Sequence, residues 1–344
     1  MKTINYDKVE EFILETLLKV GVDEFSSKSV AKGLSETSLR GVDSHGIRLF
    51  PHYLDSALNG RKNAAPEMRF SNKYPSYLTL DADNGFGHAA GFKAINKAID
   101  VADKNGICAV NVINSSHPGA MASFAIHAAK NGMIAFAYTH ADSLIRAFGS
   151  NETFFGTNPI CMAAPRLEKN PYCLDMATSK ISWNKVKIYR GTKENLPMDV
   201  AADKFGNNTS NPIDAAMLLP TGDYKGHGLS SMVEILCSII PGIPFGPHIP
   251  SMYEYDIKKA RHLGQHYMVI KTDVVSTHND FISNMQNMTD EVRKLSSKSE
   301  AGVMLPGDPE IKCANYRQKN GIPLDDELFA IFNKISKKYL NVSI

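Results

Sequence analysis

Apolar residues recur at helical spacing through the first fifty positions. Val9, Phe12, Ile13, Leu17 and Leu18 fall at i, i+3, i+4 intervals and predict a helix from about residue 6. Ser26 or Ser27 is placed to cap a second helix that carries Val30, Leu34 and Leu39. A Ser-His-Gly run ends it, the helical pattern resumes over 49–58, and a turn-rich break follows at 60–66. From about residue 77 the period changes. Segments 77–81, 106–113, 133–139, 158–163, 172–176 and 267–271 read as strands. Helices are expected between them at 89–102 and 121–130, with a buried helix from about Gly226 that contains 232–238. Segments 281–295 and 325–339 return to helical period. The pattern predicts an α/β fold. It divides into a helical lobe of residues 1–75 plus 282–344 and an α/β lobe of residues 76–281.

Composition narrows the function classes. The chain has 344 residues, of which 43% are hydrophobic, enough for a sizeable core. A formal net charge of +2 offers no electrostatic case for nucleic acid or a membrane surface. The five cysteines (Cys108, Cys161, Cys173, Cys237, Cys313) are scattered, with no Cys-x-x-Cys pair, so neither a zinc knuckle nor a disulfide framework is expected. No signal-peptide core and no apolar run of membrane-spanning length is visible. A cytoplasmic protein is expected, without a metal site.

The most informative segment is Arg40-Gly41-Val42-Asp43-Ser44-His45-Gly46-Ile47-Arg48. It places a hydroxyl, an imidazole and a guanidinium within five positions. An imidazole moves protons near neutral pH, and a guanidinium grips a carboxylate with two parallel hydrogen bonds. The set suits a small carboxylic acid with proton transfer at the adjacent carbon. For a lone His-x-x-Arg, a solvated helix end is the commoner explanation. A second imidazole, His117, lies in Asn114-Ser115-Ser116-His117-Pro118-Gly119-Ala120, just past a predicted strand. Asp175-Met176-Ala177-Thr178-Ser179-Lys180 leaves another strand and can hold ribose or phosphate, orient a histidine, or simply cap a helix. Lys225 and Gly226, in Thr221-Gly222-Asp223-Tyr224-Lys225-Gly226-His227-Gly228-Leu229, open a helix where backbone N–H groups suit an anion. Leu305-Pro306-Gly307-Asp308-Pro309-Glu310 is a late turn. Gly85-Phe86-Gly87-His88-Ala89-Ala90 resembles a degenerate dinucleotide fingerprint, but no acidic residue closes the next strand. A tight turn with close helix packing is the better reading there.

Taken in order, these motifs resemble the malate/L-lactate dehydrogenase family of the second type, which also holds sulfolactate, ureidoglycolate and diketogulonate oxidoreductases. The resemblance rests on residues 40–46, Phe155-Gly156-Thr157-Asn158-Pro159-Ile160, Leu174 with residues 175–179, and residues 224–229, and runs from about Val9 to Pro323. It implies a mixed-sheet, non-Rossmann α/β fold of the sulfolactate dehydrogenase-like type. It also implies an NAD or NADP cofactor bound without the glycine fingerprint, and a homodimer with the site near the subunit interface. By position His45 matches the family's acid/base, with Ser44 beside it, and His117 a histidine given that role in other members. Arg48 matches a substrate-carboxylate ligand. Asp175, Met176, Ala177, Thr178, Ser179, Lys225, Gly226, Pro306, Gly307 and Asp308 match cofactor-contacting segments. Asp175 or His117 can orient or share the proton of His45. One departure is Ser182-Trp183-Asn184-Lys185, where the family carries a Gly-Lys pair. The implied activity is dehydrogenation of a 2-hydroxy acid, malate first. Another 2-oxo acid, or a carboxylate- or nucleotide-binding protein without catalysis, are the alternatives.

Overall fold

The first helix, α1 (Tyr6–Lys19), buries Val9, Phe12, Ile13 and Leu17 on one face. It is capped by the Asn5 side chain, which accepts the Asp7 N–H at 2.8 Å. The break at 20–23 leads to α2 (Glu24–Leu39), and here the structure corrects the expected cap. Asp23 accepts the Ser26 N–H at 3.0 Å, whereas Ser26 and Ser27 are buried inside the helix. A short 3-10 turn (Ile47–Leu49) precedes α3 (Phe50–Leu58). The structure is a computed structural model and describes residues 2–168, 170–253, 257–298, 300 and 302–342.

Seven strands form the main sheet, in the order Arg69–Tyr74, Tyr77–Asp81, Ile107–Ser115, Leu263–Lys271, Met133–Thr139, Ile160–Ala164 and Tyr172–Met176. The second and third are parallel and the other neighbours antiparallel. The parallel pair is joined by α4 (Gly87–Asn105), the crossover such a pair requires. The strand Leu263–Lys271 is inserted late between two early ones and starts four residues before its expected position. Alternation along Met133–Thr139 assigns its two faces. Ala135 and Ala137 join the large core with α4 and α5 (Ala122–Lys130), while Phe136 and Tyr138 pack with Val233 and Leu236 on the opposite side. The residues 183–192 form α6 (Trp183–Thr192). The helix expected to be buried over 232–238 is α7 (Tyr224–Glu234), continued by a π-helical turn, Ile235–Ile239, and it is buried on one face only, with Met232, Ile235 and Ile239 exposed.

The chain ends return to the start. Lys2–Ile4 pairs antiparallel with Ile322–Leu324. That pairing sets α10 (Asp326–Tyr339) on α1, with Phe12 and Phe332 ring centroids 5.1 Å apart. Before it come α8 (His278–Lys294), opened by a Thr277/Asp280 capping box, and α9 (Asp308–Asn320). A second, smaller sheet lies within the central stretch. Its strands run Asn208–Thr209, Ala201–Ala202, Met217–Leu218, Ile145–Arg146 and Thr153–Phe155. Its core of Ile145, Val186, Leu196, Val200 and Leu218 takes in Trp183 at the edge. Among the described residues no helix is long and apolar enough to cross a membrane.

Candidate active site

The loop after α2 is held in one shape by short-range packing and one distant ion pair. Gly41 adopts φ +86°, a left-handed conformation that favours glycine. Gly46 lies so close to α2 that a β-carbon there would sit 2.0 Å from Ser38 Oγ, and that same hydroxyl accepts the Ile47 N–H at 2.9 Å. Asp43 is gripped by both guanidinium nitrogens of Arg317 on α9, at 2.6 and 2.8 Å. From this loop His45 projects into a cleft, with Nδ1 2.8 Å from Ser44 Oγ.

His117 arrives from the end of Ile107–Ser115 and stacks on His45, with ring centroids 5.7 Å apart at 24°. Burial lowers the His45 pKa to about 4. Burial, and secondarily His45 itself, holds His117 well below the ordinary histidine value. Both rings are therefore neutral at pH 7, and at this separation one protonated ring opposes protonation of the other.

The cleft has a volume of about 820 Å³, within the range of ligand pockets. It is lined by Ser44 and His45, by Gly119 to Ala122, and by residues 173–177, 179–182 and 185. Met304, Leu305, Pro306, Gly307, Pro309 and Glu310 also line it. Arg40, Lys180 and Lys185 supply its positive charge. Asp175 accepts the Ala122 N–H at 2.8 Å, so it caps α5 while opening on the cleft. Surrounding protein raises its pKa to about 6, against the pull of that N–H and of Arg40, and water reaching it through the cleft softens that rise. These walls fit a dinucleotide: apolar surface from Ala120, Met121, Pro159 and Leu305 for rings, and three cations for phosphates.

The structure brings together Ser44, His45, Asp175, Met176, Ala177, Ser179, Pro306 and Gly307. It does not bring Arg48, His117, Thr178, Lys225, Gly226 or Asp308 to the surface of that cleft; His117 is joined to it only through its stack on His45. Arg48 turns to Asp325, the residue that caps α10, and lines a separate cavity of about 130 Å³. Thr178 is buried, donating to Thr157 O at 3.0 Å and accepting from Ser230 at 2.8 Å. Lys225 is exposed, and Gly226 packs on Thr221, where a β-carbon would meet the Thr221 carbonyl at 2.1 Å. Asp308 accepts the Leu305 N–H at 3.0 Å and binds Arg166 and Arg293, so it shapes the 305–307 turn. Trp183 belongs to the small core and stacks near Arg190, while Ser182 and Lys185 face the cleft.

Three groups escaped the sequence reading. Asn184 donates to the Ser44 carbonyl at 2.7 Å and ties the 173–185 stretch of the cleft to the His45 loop. A buried Glu234 accepts from Asn158 (2.7 Å) and Gly246 (2.9 Å) and pairs with His140 (3.2 Å), fixing α7 beneath the Thr157–Thr178 segment. Tyr53 on α3 lies 2.7 Å from His117 Nδ1. Asn184 lies within the Ser182-Trp183-Asn184-Lys185 departure; nothing local marks Glu234 or Tyr53.

The dinucleotide-like turn at 85–90 resolves differently. It does lie at a strand-to-helix junction of a βαβ unit. The space before Gly87 is filled by protein, since a β-carbon there would meet the Ser116 carbonyl at 2.2 Å and His117 backbone at 2.7 Å. Its glycine lets α4 approach the His117 loop.

Comparison with known proteins defines the class. The family model for malate/L-lactate dehydrogenase matches residues 4–333, and the chain belongs to that family. Its members are NAD(P)-dependent 2-hydroxy-acid dehydrogenases. The chain is 33% identical to a malate dehydrogenase of Pyrococcus abyssi (strain GE5 / Orsay), over 96% of this chain and 93% of that one. It is 31% identical to a ureidoglycolate dehydrogenase (NAD(+)) of Escherichia coli O157:H7, covering 95% and 93%. The solved sulfolactate dehydrogenase from Methanocaldococcus jannaschii superposes with a TM-score of 0.91 at 27% identity, covering 98% and 97%.

Proposed function

We propose that this protein is an NAD(P)-dependent malate dehydrogenase that interconverts malate and oxaloacetate. The observation that carries the reading is neutral His45 at the edge of a cleft large enough for a dinucleotide, with the His117 ring stacked on it from behind the lining. When bound, the nicotinamide supplies the hydride chemistry. Residues 175–177 and 179 with the 306–307 turn would hold it, and Lys180 and Lys185 would offer positive charge to its phosphates. His45 takes the proton of the C2 hydroxyl as hydride leaves, and returns it in the reverse direction. Ser44 steadies its Nδ1. His117, 5.7 Å away, stays neutral while His45 is charged.

Arg48 takes the C1 carboxylate after exchanging partners. Its ion pair with Asp325 joins two half-exposed side chains, an interaction worth only about 0.2–1 kcal/mol. A substrate carboxylate arriving beside His45 competes with that pair easily. Arg40, already on the cleft, is the alternative clamp.

The assembly is a homodimer. Met232, Ile235 and Ile239 form an i, i+3, i+7 stripe along α7 and its π turn, with Ile240 beside it; Ile235, Ile239 and Ile240 are 50–52% exposed. A contiguous apolar patch of this kind marks a protein interface, and a second copy is its occupant. The cysteines described are all free, in keeping with a reducing cytoplasm.

The test is a panel of 2-oxo acids followed at the reduced-nicotinamide absorbance band with both NADH and NADPH. Fastest turnover with oxaloacetate supports malate. Preference for the oxidised product of ureidoglycolate or sulfolactate reassigns the substrate, and cofactor binding without turnover on any acid supports a protein that has lost catalysis.

A further inference from the structure

Tyr53 has two polar contacts through one hydroxyl, both to the same residue. Its oxygen lies 2.7 Å from His117 Nδ1 and 3.0 Å from the His117 carbonyl oxygen. A phenol has a single proton. If that proton went to Nδ1, the hydroxyl and the carbonyl would face each other at 3.0 Å with no hydrogen between them. Both contacts are satisfied in one arrangement only: Nδ1–H donates to Tyr53, and Tyr53 donates to the carbonyl. The Gly119 N–H, 3.3 Å from Nδ1, is the weaker competitor and points to the opposite tautomer. Two shorter contacts outweigh it.

The phenol has little freedom to do otherwise. Its ring is fully buried. The Lys62 Nζ stands 3.5 Å from the ring centroid, itself buried and without a hydrogen-bond partner among the described residues. His88 crosses the ring at 5.6 Å, and Phe86 lies 6.4 Å away. Rotation of the ring about its own axis leaves the hydroxyl in place, so the oxygen is held at the His117 edge.

We propose that Tyr53 is a positioning residue that locks His117 as the Nδ1-protonated tautomer, leaving Nε2 as the ring's free lone pair. This rests on the dehydrogenase reading, because the tautomer matters only where His117 faces a reacting hydroxyl or shares a proton with His45. With the lock in place, neutral His117 presents an acceptor. Without it, Nε2 carries the proton and the ring presents a donor instead.

The experiment is nitrogen-15 NMR of the histidine-labelled full-length protein at neutral pH, with His117 assigned through His117→Gln, alongside steady-state kinetics. Wild type should show a protonated Nδ1 and an unprotonated Nε2 at His117. Tyr53→Phe keeps the ring packing but should move His117 toward the Nε2–H form. Turnover of the hydroxy acid should fall by about 10- to 100-fold, part of what a positioned proton acceptor supplies, with KM and cofactor Kd changed less than about threefold. An Nε2–H form in wild type, or a Tyr53→Phe enzyme with an unchanged tautomer, overturns the proposal. If Tyr53→Phe does not fold, the wild-type spectrum alone decides. The tautomer is read without turnover, so an enzyme inactive on every 2-oxo acid fails the functional reading and not this one.

Discussion

Residues 85–90 and 175–179 each lie where a strand of the main sheet gives way to a turn, and each carries the small residues that phosphate-holding turns require. They meet different neighbours. At 85–90 the backbone of Ser116 and His117 occupies the space a pyrophosphate would need. At 175–179 the chain opens onto the 820 Å³ cleft. A glycine pattern therefore reports only that something approaches closely; what approaches is decided by chain far away in sequence. The two turns consequently have different neighbours, one seating the imidazole pair and the other walling the cleft.

Mutations should separate these two regions. The largest effect belongs to the imidazole side: His45→Gln keeps size and polarity but cannot carry a proton, so kcat should fall by about 10²–10⁴-fold. Cofactor affinity, measured by fluorescence or calorimetry, should survive. Gly87→Ala should come next. The added methyl meets backbone, which cannot rotate aside, so stability should drop by at least about 1–3 kcal/mol. The fraction that folds should lose kcat while keeping cofactor Kd. A selective loss of cofactor affinity would instead return the pyrophosphate to residues 85–90. On the other wall, Lys185→Ala should raise cofactor Kd several-fold, about 1 kcal/mol for one lost phosphate contact, with kcat at saturation nearly unchanged.

Much of this division was legible in the sequence. The 3.6-residue period placed α1, and the motifs pointed to His45 and to residues 175–177 and 179, which the structure gathers on one cleft. The rest was hidden for identifiable reasons. In α9 no residue is buried, so there was no apolar period to detect. The strand Leu263–Lys271 is covered on both faces and begins Leu-Gly-Gln-His, which breaks alternation. The small sheet is built largely of two-residue strands. Arg48 shows the limit for side chains: three positions from His45 in sequence, it pairs with Asp325, 277 residues away.

That pair defines a subtler prediction. Asp325→Asn keeps the cap on the Leu328 N–H but removes the charge facing Arg48. KM for the acid should fall by about two- to fivefold, the worth of an exposed ion pair. An unchanged KM here, combined with a raised KM in Arg40→Lys, would make Arg40 the carboxylate clamp.

The smallest effect concerns pH. His88 is fully buried, and burial, with Lys62 nearby, lowers its pKa to about 3. In the unfolded chain it titrates near the usual ~6.5. The unfolded state thus binds the proton first, so this contribution to stability is complete above about pH 6.5 and is lost as pH falls toward about 3. Tm should drop by a few degrees between pH 7.5 and pH 5 on this account. A His88→Gln protein, though less stable overall, should show a shallower drop. An equal slope would place the acid sensitivity in other groups.

The division of labour between the two turns is tested most directly by amide hydrogen exchange with and without saturating NADH or NADPH. Protection should appear in residues 172–185 and 304–310, with residues 85–90 unchanged. Protection centred on residues 85–90, with 172–185 unaffected, would contradict the account.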